Sequence, residues 1–139
     1  MDNQGELILI VDKDVLSLNA YKGIGMYNVF SIGKLLSEYL ISEFNFNRTQ
    51  LTIQWLEGKL REKEPGPVFC SDIDILFEKS LDLDPLALFR RINSFTKLII
   101  LWQGEFKNGI LSYGVPEHSN YRFWNYPQEI QIKGVSDAL

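Results

Sequence analysis

The sequence predicts an α/β domain built around a mainly parallel five-stranded sheet. Short, wholly apolar runs alternate along the chain with stretches that are apolar at helical spacing. The length of 139 residues suits one domain with one core. Hydrophobic residues make up 45% and charged residues 23% of the chain, which is typical of globular proteins and unlike disordered ones. We therefore expect a single domain over residues 1–139.

Five segments have the composition of strands. Leu7–Val11 is apolar and lies between Gly5 and Asp12, as expected for a strand that is buried on both faces of a parallel sheet. Three further apolar runs and a weaker alternating one follow: Tyr27–Phe30, Val68–Cys70, Lys97–Trp102 and Glu129–Lys133. Right-handed crossovers between them predict that Leu7–Val11 lies inside the sheet and that helices cover both faces.

Three amphipathic helices and a hairpin are predicted between these strands. Apolar residues recur every three or four positions within 32–40 and again within 51–60. Asp84 followed by Pro85 is the clearest helix start, because an N-cap carboxylate precedes proline at the first helical position. Asn108-Gly109 predicts a small C-terminal β-hairpin.

Charge and cysteine content exclude several classes of function. Acidic residues outnumber basic ones 18 to 14, so we expect no direct nucleic-acid binding by the isolated chain. Cys70 is the single cysteine, and the apolar run before Asp12 is too short for a signal peptide or a membrane span. We expect a cytoplasmic protein that does not associate with membranes.

Few residues are candidates for a metal-binding or phosphate-binding site. His118 has no neighbouring histidine or cysteine with which to complete a metal site. The acidic residues between 72 and 84 could hold Mg²⁺, but solvated faces and helix caps are the favoured interpretation. Gly33-Lys34 lacks the P-loop spacing, because Asn28 stands where a glycine is needed and Leu35 replaces serine or threonine. We expect no cofactor.

Two segments carry motifs of a known family. The first is Ser71–Phe77 followed by Leu83–Leu86, and the second comprises Leu101–Gly104, Asn108–Tyr113 and Pro116–Tyr121. They resemble the small P-loop protein of type 3 BREX bacteriophage-exclusion systems, in which a Walker-B-like strand is followed by Leu-Asp-Pro-Leu. The resemblance covers roughly residues 66–122. It implies a P-loop NTPase-like three-layer sandwich and a cytoplasmic defence subunit that forms hetero-oligomers with proteins such as a large ATPase, a methyltransferase and a phosphatase-like protein.

The chain departs from this family where the nucleotide would bind. Asp12–Asn19, which matches the phosphate loop, contains no glycine and carries two carboxylates. Ser71 stands at the position of the Walker-B acid, with Asp72 one residue later and therefore on the opposite face of a continuing strand. The favoured interpretation is a non-catalytic, degenerate P-loop subunit.

Two alternatives remain open. The chain could be a small nucleotide-binding protein or NTPase in which Lys13, Ser17 and Asp72 contact the nucleotide and its Mg²⁺, with Lys34 and Asp74 as further candidates. It could also be a free-standing globular protein that shares only the topology of the family.

Aromatic residues near the C-terminus predict a surface that binds a protein partner. Five rings fall within fourteen residues of turn-rich sequence beside an arginine, a composition that is enriched at interfaces. The candidate partner-binding residues are Trp102, Tyr113, Tyr121, Arg122, Phe123, Trp124 and Tyr126. The alternative interpretation is that most of these rings close one end of the core.

Overall fold

The computed structural model describes residues 5–12, 28–43 and 47–134, which form eight strands and three α-helices. The strands are β1 (Leu7–Val11), β2 (Asn28–Ser31), β3 (Val68–Ser71), β4 (Leu98–Trp102), β5 (Gly104–Lys107), β6 (Ile110–Tyr113), β7 (Arg122–Asn125) and β8 (Ile130–Lys133). The helices are α1 (Ile32–Ser42), α2 (Arg48–Arg61) and α3 (Pro85–Asn93). Two 3₁₀ turns, Asp74–Phe77 and Lys79–Leu81, connect β3 to α3.

Five strands form one parallel sheet in the order β2-β3-β4-β1-β8. The five predicted strands are confirmed, and their ends differ by at most one residue within the described ranges; Tyr27, the predicted first residue of β2, lies outside those ranges. The first strand, β1, lies inside the sheet, where Ile10 pairs with Leu101 on one side and Leu9 with Ile132 on the other. The residues of β3 and β4 are buried throughout, which explains their continuous apolar runs.

The three predicted helices are also confirmed, and two of them begin at side-chain caps. The Asp84 carboxylate accepts a hydrogen bond of 3.1 Å from the Ala87 N–H at the start of α3. The Asn47 side chain accepts one of 3.0 Å from the Gln50 N–H at the start of α2. None of the described helices has the length and apolar character that a bilayer span requires.

All three described helices pack against the same face of the sheet. That face presents alternate strand residues, among them Leu9, Cys70 and Ile100, to apolar side chains of the helices such as Leu56 and Phe89. The opposite face is also buried, and its buried side chains include Ile10, Phe69, Ile99 and Leu101. A second helical layer, which a three-layer sandwich requires, is not found among residues 5–12, 28–43 and 47–134.

A second, antiparallel sheet follows β4 after a single residue. Strands β5 and β6 pair across Asn108 and Gly109, which both have positive φ angles (54° and 77°), as in a type I′ turn. Strand β7 adds to the free side of β6, and the sequence analysis did not predict it. The Trp102 indole Nε1–H donates a 2.8 Å hydrogen bond to the Ser112 carbonyl, which fastens this sheet to the end of β4.

Candidate functional site

A polar cleft lies at the carboxyl ends of β2 and β3. Its volume is about 690 Å³, and its walls are the first turns of α1, the segment after β3 and the loop around Asn120. Ligands of open parallel sheets bind at this edge, because the loops that follow the strands converge there. The cleft carries charges of both signs, which are contributed by Lys34, Asp72, Asp74, Glu78 and Lys79.

Asp72 lies on top of the first turn of α1. Strand β3 ends at Ser71, and Asp72 takes up a left-handed conformation with φ of 55°. A Cβ atom on Gly33 would lie 2.6 Å from the Asp72 carboxyl carbon, so only glycine leaves room for this carboxylate. The Ser31 hydroxyl donates to it over 3.4 Å.

This placement corrects the argument that Asp72 lies on the opposite face from Ser71. Strand alternation applies only while the strand continues, and the backbone turns at Asp72. Its carboxylate therefore reaches the cleft. Of the three residues of the alternative nucleotide site, Lys13 and Ser17 lie outside the described residues and Asp72 alone is placed.

Asp74 connects the cleft to the antiparallel sheet. Its Oδ1 accepts a 2.7 Å hydrogen bond from the Tyr113 hydroxyl and a 3.3 Å hydrogen bond from the Asn120 side-chain amide. Burial raises the pKa of Tyr113, and the hydrogen bond to Asp74 and the charges of Asp74 and Asp72 raise it further. The phenol therefore stays protonated and keeps donating to the carboxylate.

Four aromatic rings pack behind this hydrogen bond. Tyr113 stacks on Phe77 with ring centroids 3.6 Å apart, and Trp102 meets both rings edge-on at 5.3 and 5.5 Å. Trp124 packs edge-on against Trp102 at 5.5 Å. Trp102 and Tyr113 are completely buried or nearly so, which corrects their assignment to a partner surface. These rings close one end of the core.

The remaining candidate partner residues divide into structural and exposed ones. Arg122 donates to the carbonyls of Leu83 and Phe77 at 2.6 and 3.1 Å, so its guanidinium is engaged within the domain. The side chains of Phe123 and Tyr126 are 56% and 70% exposed, whereas Tyr121 is half-buried. Phe123 and Tyr126 are therefore the two candidates that offer substantial ring surface to a partner.

The cleft has little capacity for a metal ion. Within the described ranges there is no group of three or more histidine, cysteine, aspartate or glutamate side chains that could hold one.

The Cys70 thiol is buried in β3, and burial raises its pKa to about 12, so the thiol is inert as a nucleophile at neutral pH.

Comparison with known proteins does not assign the chain to a family. No model of a known protein family, no curated protein and no solved structure matches it significantly.

Proposed function

We propose that this chain is a non-catalytic subunit of a bacterial anti-phage defence complex, built on a degenerate P-loop-like three-layer fold. It acts in the cytoplasm by binding other proteins of its system in a hetero-oligomer, and it neither contacts nucleic acid directly nor uses a cofactor. The resemblance of residues 71–86 and 101–121 to the type 3 BREX P-loop family supports this proposal. The interior position of β1 in a parallel sheet is compatible with it.

The single observation that carries the non-catalytic part of the proposal is the position of Asp72. The first turn of a helix attracts anions because its N–H groups and dipole point towards them. At α1 the Asp72 carboxylate already lies against that turn, beside Gly33. A phosphate group brought to the same place would meet a like charge, which disfavours binding.

Asp74 supports the same conclusion from the other side of the cleft. A carboxylate that coordinates Mg²⁺ needs oxygen lone pairs directed at the ion. Oδ1 of Asp74 instead accepts hydrogen bonds from Tyr113 and Asn120, which connect the segment after β3 to the end of β6 and to the loop before β7. These two acids serve the architecture of the domain.

The partner surface that we propose is the outer face of the antiparallel sheet. By strand alternation this outer face comprises Glu105, Lys107, Ile110, Ser112, Phe123 and Asn125. Ile110 is 39% and Phe123 is 56% exposed, and Tyr126 lies next to the end of β7. Exposed aromatic and aliphatic side chains rimmed by charged ones are typical of protein interfaces.

The experiment is co-purification of the tagged chain with the other proteins of its defence system, expressed together. We expect Phe123→Ser and Ile110→Ser to reduce recovery of a partner without lowering the melting temperature of the purified chain. Ile41→Ser is the matched control, because Ile41 is 79% exposed on α1, away from the outer face. Equal recovery with all three variants would contradict the proposed surface.

A second candidate function, nucleotide binding, is favoured by one observation. The cleft is large enough for part of a nucleotide, and Lys34 and Lys79 contribute positive charge to its walls. Under this alternative Asp72 would hold Mg²⁺ and would not repel phosphate. The second candidate therefore predicts weaker nucleotide binding when the charge of Asp72 is removed, whereas the first predicts equal or slightly tighter binding.

A further inference from the structure

Strand β5 forms one edge of the antiparallel sheet. It pairs with β6 on one side, and no other described strand pairs with its second side. Glu105, Phe106 and Lys107 are all exposed, and the Phe106 ring is 42% exposed although its cross-strand neighbour Leu111 is completely buried. Among the described residues the sheet thus has an exposed aromatic ring at an edge that no strand covers, and such an edge is where strands of other chains add.

The turn geometry fixes which backbone groups of β5 point outwards. In a two-residue hairpin the residues that flank the turn, here Lys107 and Ile110, form a hydrogen-bonded pair. The next pair, Phe106 and Leu111, is consequently a non-hydrogen-bonded one. The N–H and C=O groups of Phe106 therefore point away from β6, towards the open edge.

We propose that β5 pairs antiparallel with β5 of a second copy of this chain, across a two-fold axis at Phe106. The product is a continuous six-stranded antiparallel sheet. At the axis each Phe106 N–H donates to the Phe106 carbonyl of the other copy, and the two exposed rings become direct cross-strand neighbours. An isologous contact of this kind closes on itself and does not propagate into fibres.

The charges of β5 are complementary for this pairing. Antiparallel pairing about Phe106 places Glu105 of each copy directly opposite Lys107 of the other, and both side chains lie on the outer face. Opposite charges in directly opposed positions stabilise antiparallel strands, and like charges destabilise them. Any other occupant would need its own matching lysine and glutamate, whereas a second copy supplies both.

The contact involves one short strand of each copy and buries little surface, so the dimer is weak and its population depends on protein concentration. Edge pairing leaves the outer face open, so Ile110 and Phe123 stay accessible and are present twice in the dimer. The inference does not rest on the proposed function, because it concerns the isolated chain and the open edge of the sheet, which shares only Glu105 and Lys107 with the outer face.

The experiment is sedimentation equilibrium of the purified chain over a series of concentrations, with charge-swapped variants. The natural chain is expected to associate as a dimer. Glu105→Lys and Lys107→Glu each place like charges opposite each other, so we expect the dissociation constant of each to rise about tenfold or more. An equimolar mixture of the two variants restores opposite charges across the axis, and so does the double variant Glu105→Lys with Lys107→Glu. Both should dimerise like the natural chain.

Circular dichroism of each variant serves as the control for folding, because all the changed side chains are exposed. A natural chain that stays monomeric at every concentration overturns the proposal. So does a dimer whose dissociation constant is the same in both single variants and in their mixture, since its interface would then lie elsewhere.

Discussion

The carboxylate of Asp72 occupies the space that a side chain on Gly33 would fill. The Asp72 Cγ and Oδ1 atoms would lie 2.6 and 2.7 Å from a Cβ atom at position 33. This contact joins the end of β3 to the start of α1, two elements that are about forty residues apart in the chain. It also places a negative charge at the positive end of the α1 dipole, which is favourable for the helix.

The first prediction concerns Gly33. We expect Gly33→Ala to lower the free energy of unfolding, because the new methyl group displaces the Asp72 carboxylate from the first turn of α1. Gly58→Ala in α2 is the matched control: apart from the adjacent backbone of α2, no atom lies within 4 Å of its added Cβ, so helix propensity should raise stability by about 0.5–1 kcal/mol. Urea denaturation measures both.

A double-mutant cycle tests the cause of the Gly33 effect. If the clash with Asp72 is responsible, Gly33→Ala should cost less in a background that carries Asp72→Ala. An unchanged cost in that background would contradict the contact.

The second prediction concerns the hydrogen bond from Tyr113 to Asp74. Tyr113→Phe should lower stability at neutral pH by about 1 kcal/mol, because it removes the 2.7 Å hydrogen bond and leaves the stacking on Phe77 in place. Burial and the same hydrogen bond raise the pKa of Tyr113 above its ordinary value of 10.0. Urea denaturation at pH 7 measures the cost.

The pH dependence of this effect has a definite sign. Above pH 10 the unfolded chain releases the Tyr113 proton while the folded chain retains it, so stability of the natural protein falls by at most about 1.4 kcal/mol per pH unit from this group. The Tyr113→Phe variant has no phenol at this position and does not lose stability in this way. The natural protein's advantage in free energy of unfolding should therefore shrink as the pH rises from 9 to 11. A difference that stays constant over this range would show that Tyr113 is not held protonated.

The third prediction separates two neighbouring aromatic residues of β7. Trp124→Ala should lower stability by on the order of 2 kcal/mol, because Trp124 packs against Trp102 and Phe77. Phe123→Ala should change it by less than about 0.5 kcal/mol, because the Phe123 ring is 56% exposed. Thermal unfolding of both variants measures the difference in stability. Equal losses of stability would contradict the assignment of Trp124 to the inner face of β7 and Phe123 to the outer face.

Much of the fold could be predicted because local patterns determine it. The apolar runs of β1, β3 and β4 follow from burial on both faces of a parallel sheet, and Asp84-Pro85 and Asn108-Gly109 mark a helix start and a turn by their own backbone preferences. Strand β7 was missed because Arg122–Asn125 is short and polar at both ends, and pairing with β6 decides its conformation.

The site was less predictable because its contacts join distant parts of the chain. Tyr113 and Asp74 are 39 positions apart, and nothing in either segment indicates the other. The aromatic residues near the C-terminus predicted a partner surface, and sequence alone did not separate the buried Trp102 and Tyr113 from the exposed Phe123 and Tyr126. Alternation along β6 and β7 could have separated Tyr113 from Phe123 once β7 was recognised.

The most direct test of the proposed function is an equilibrium titration of the purified chain with a fluorescent ATP analogue in the presence of Mg²⁺. Asp72→Asn is the matched variant, because asparagine tolerates the left-handed backbone and removes only the charge. The proposal predicts no saturation of the natural chain below millimolar nucleotide, and binding by Asp72→Asn that is equal or slightly tighter. Saturable micromolar binding by the natural chain that weakens in Asp72→Asn would contradict it, because Asp72 would then act as a metal ligand.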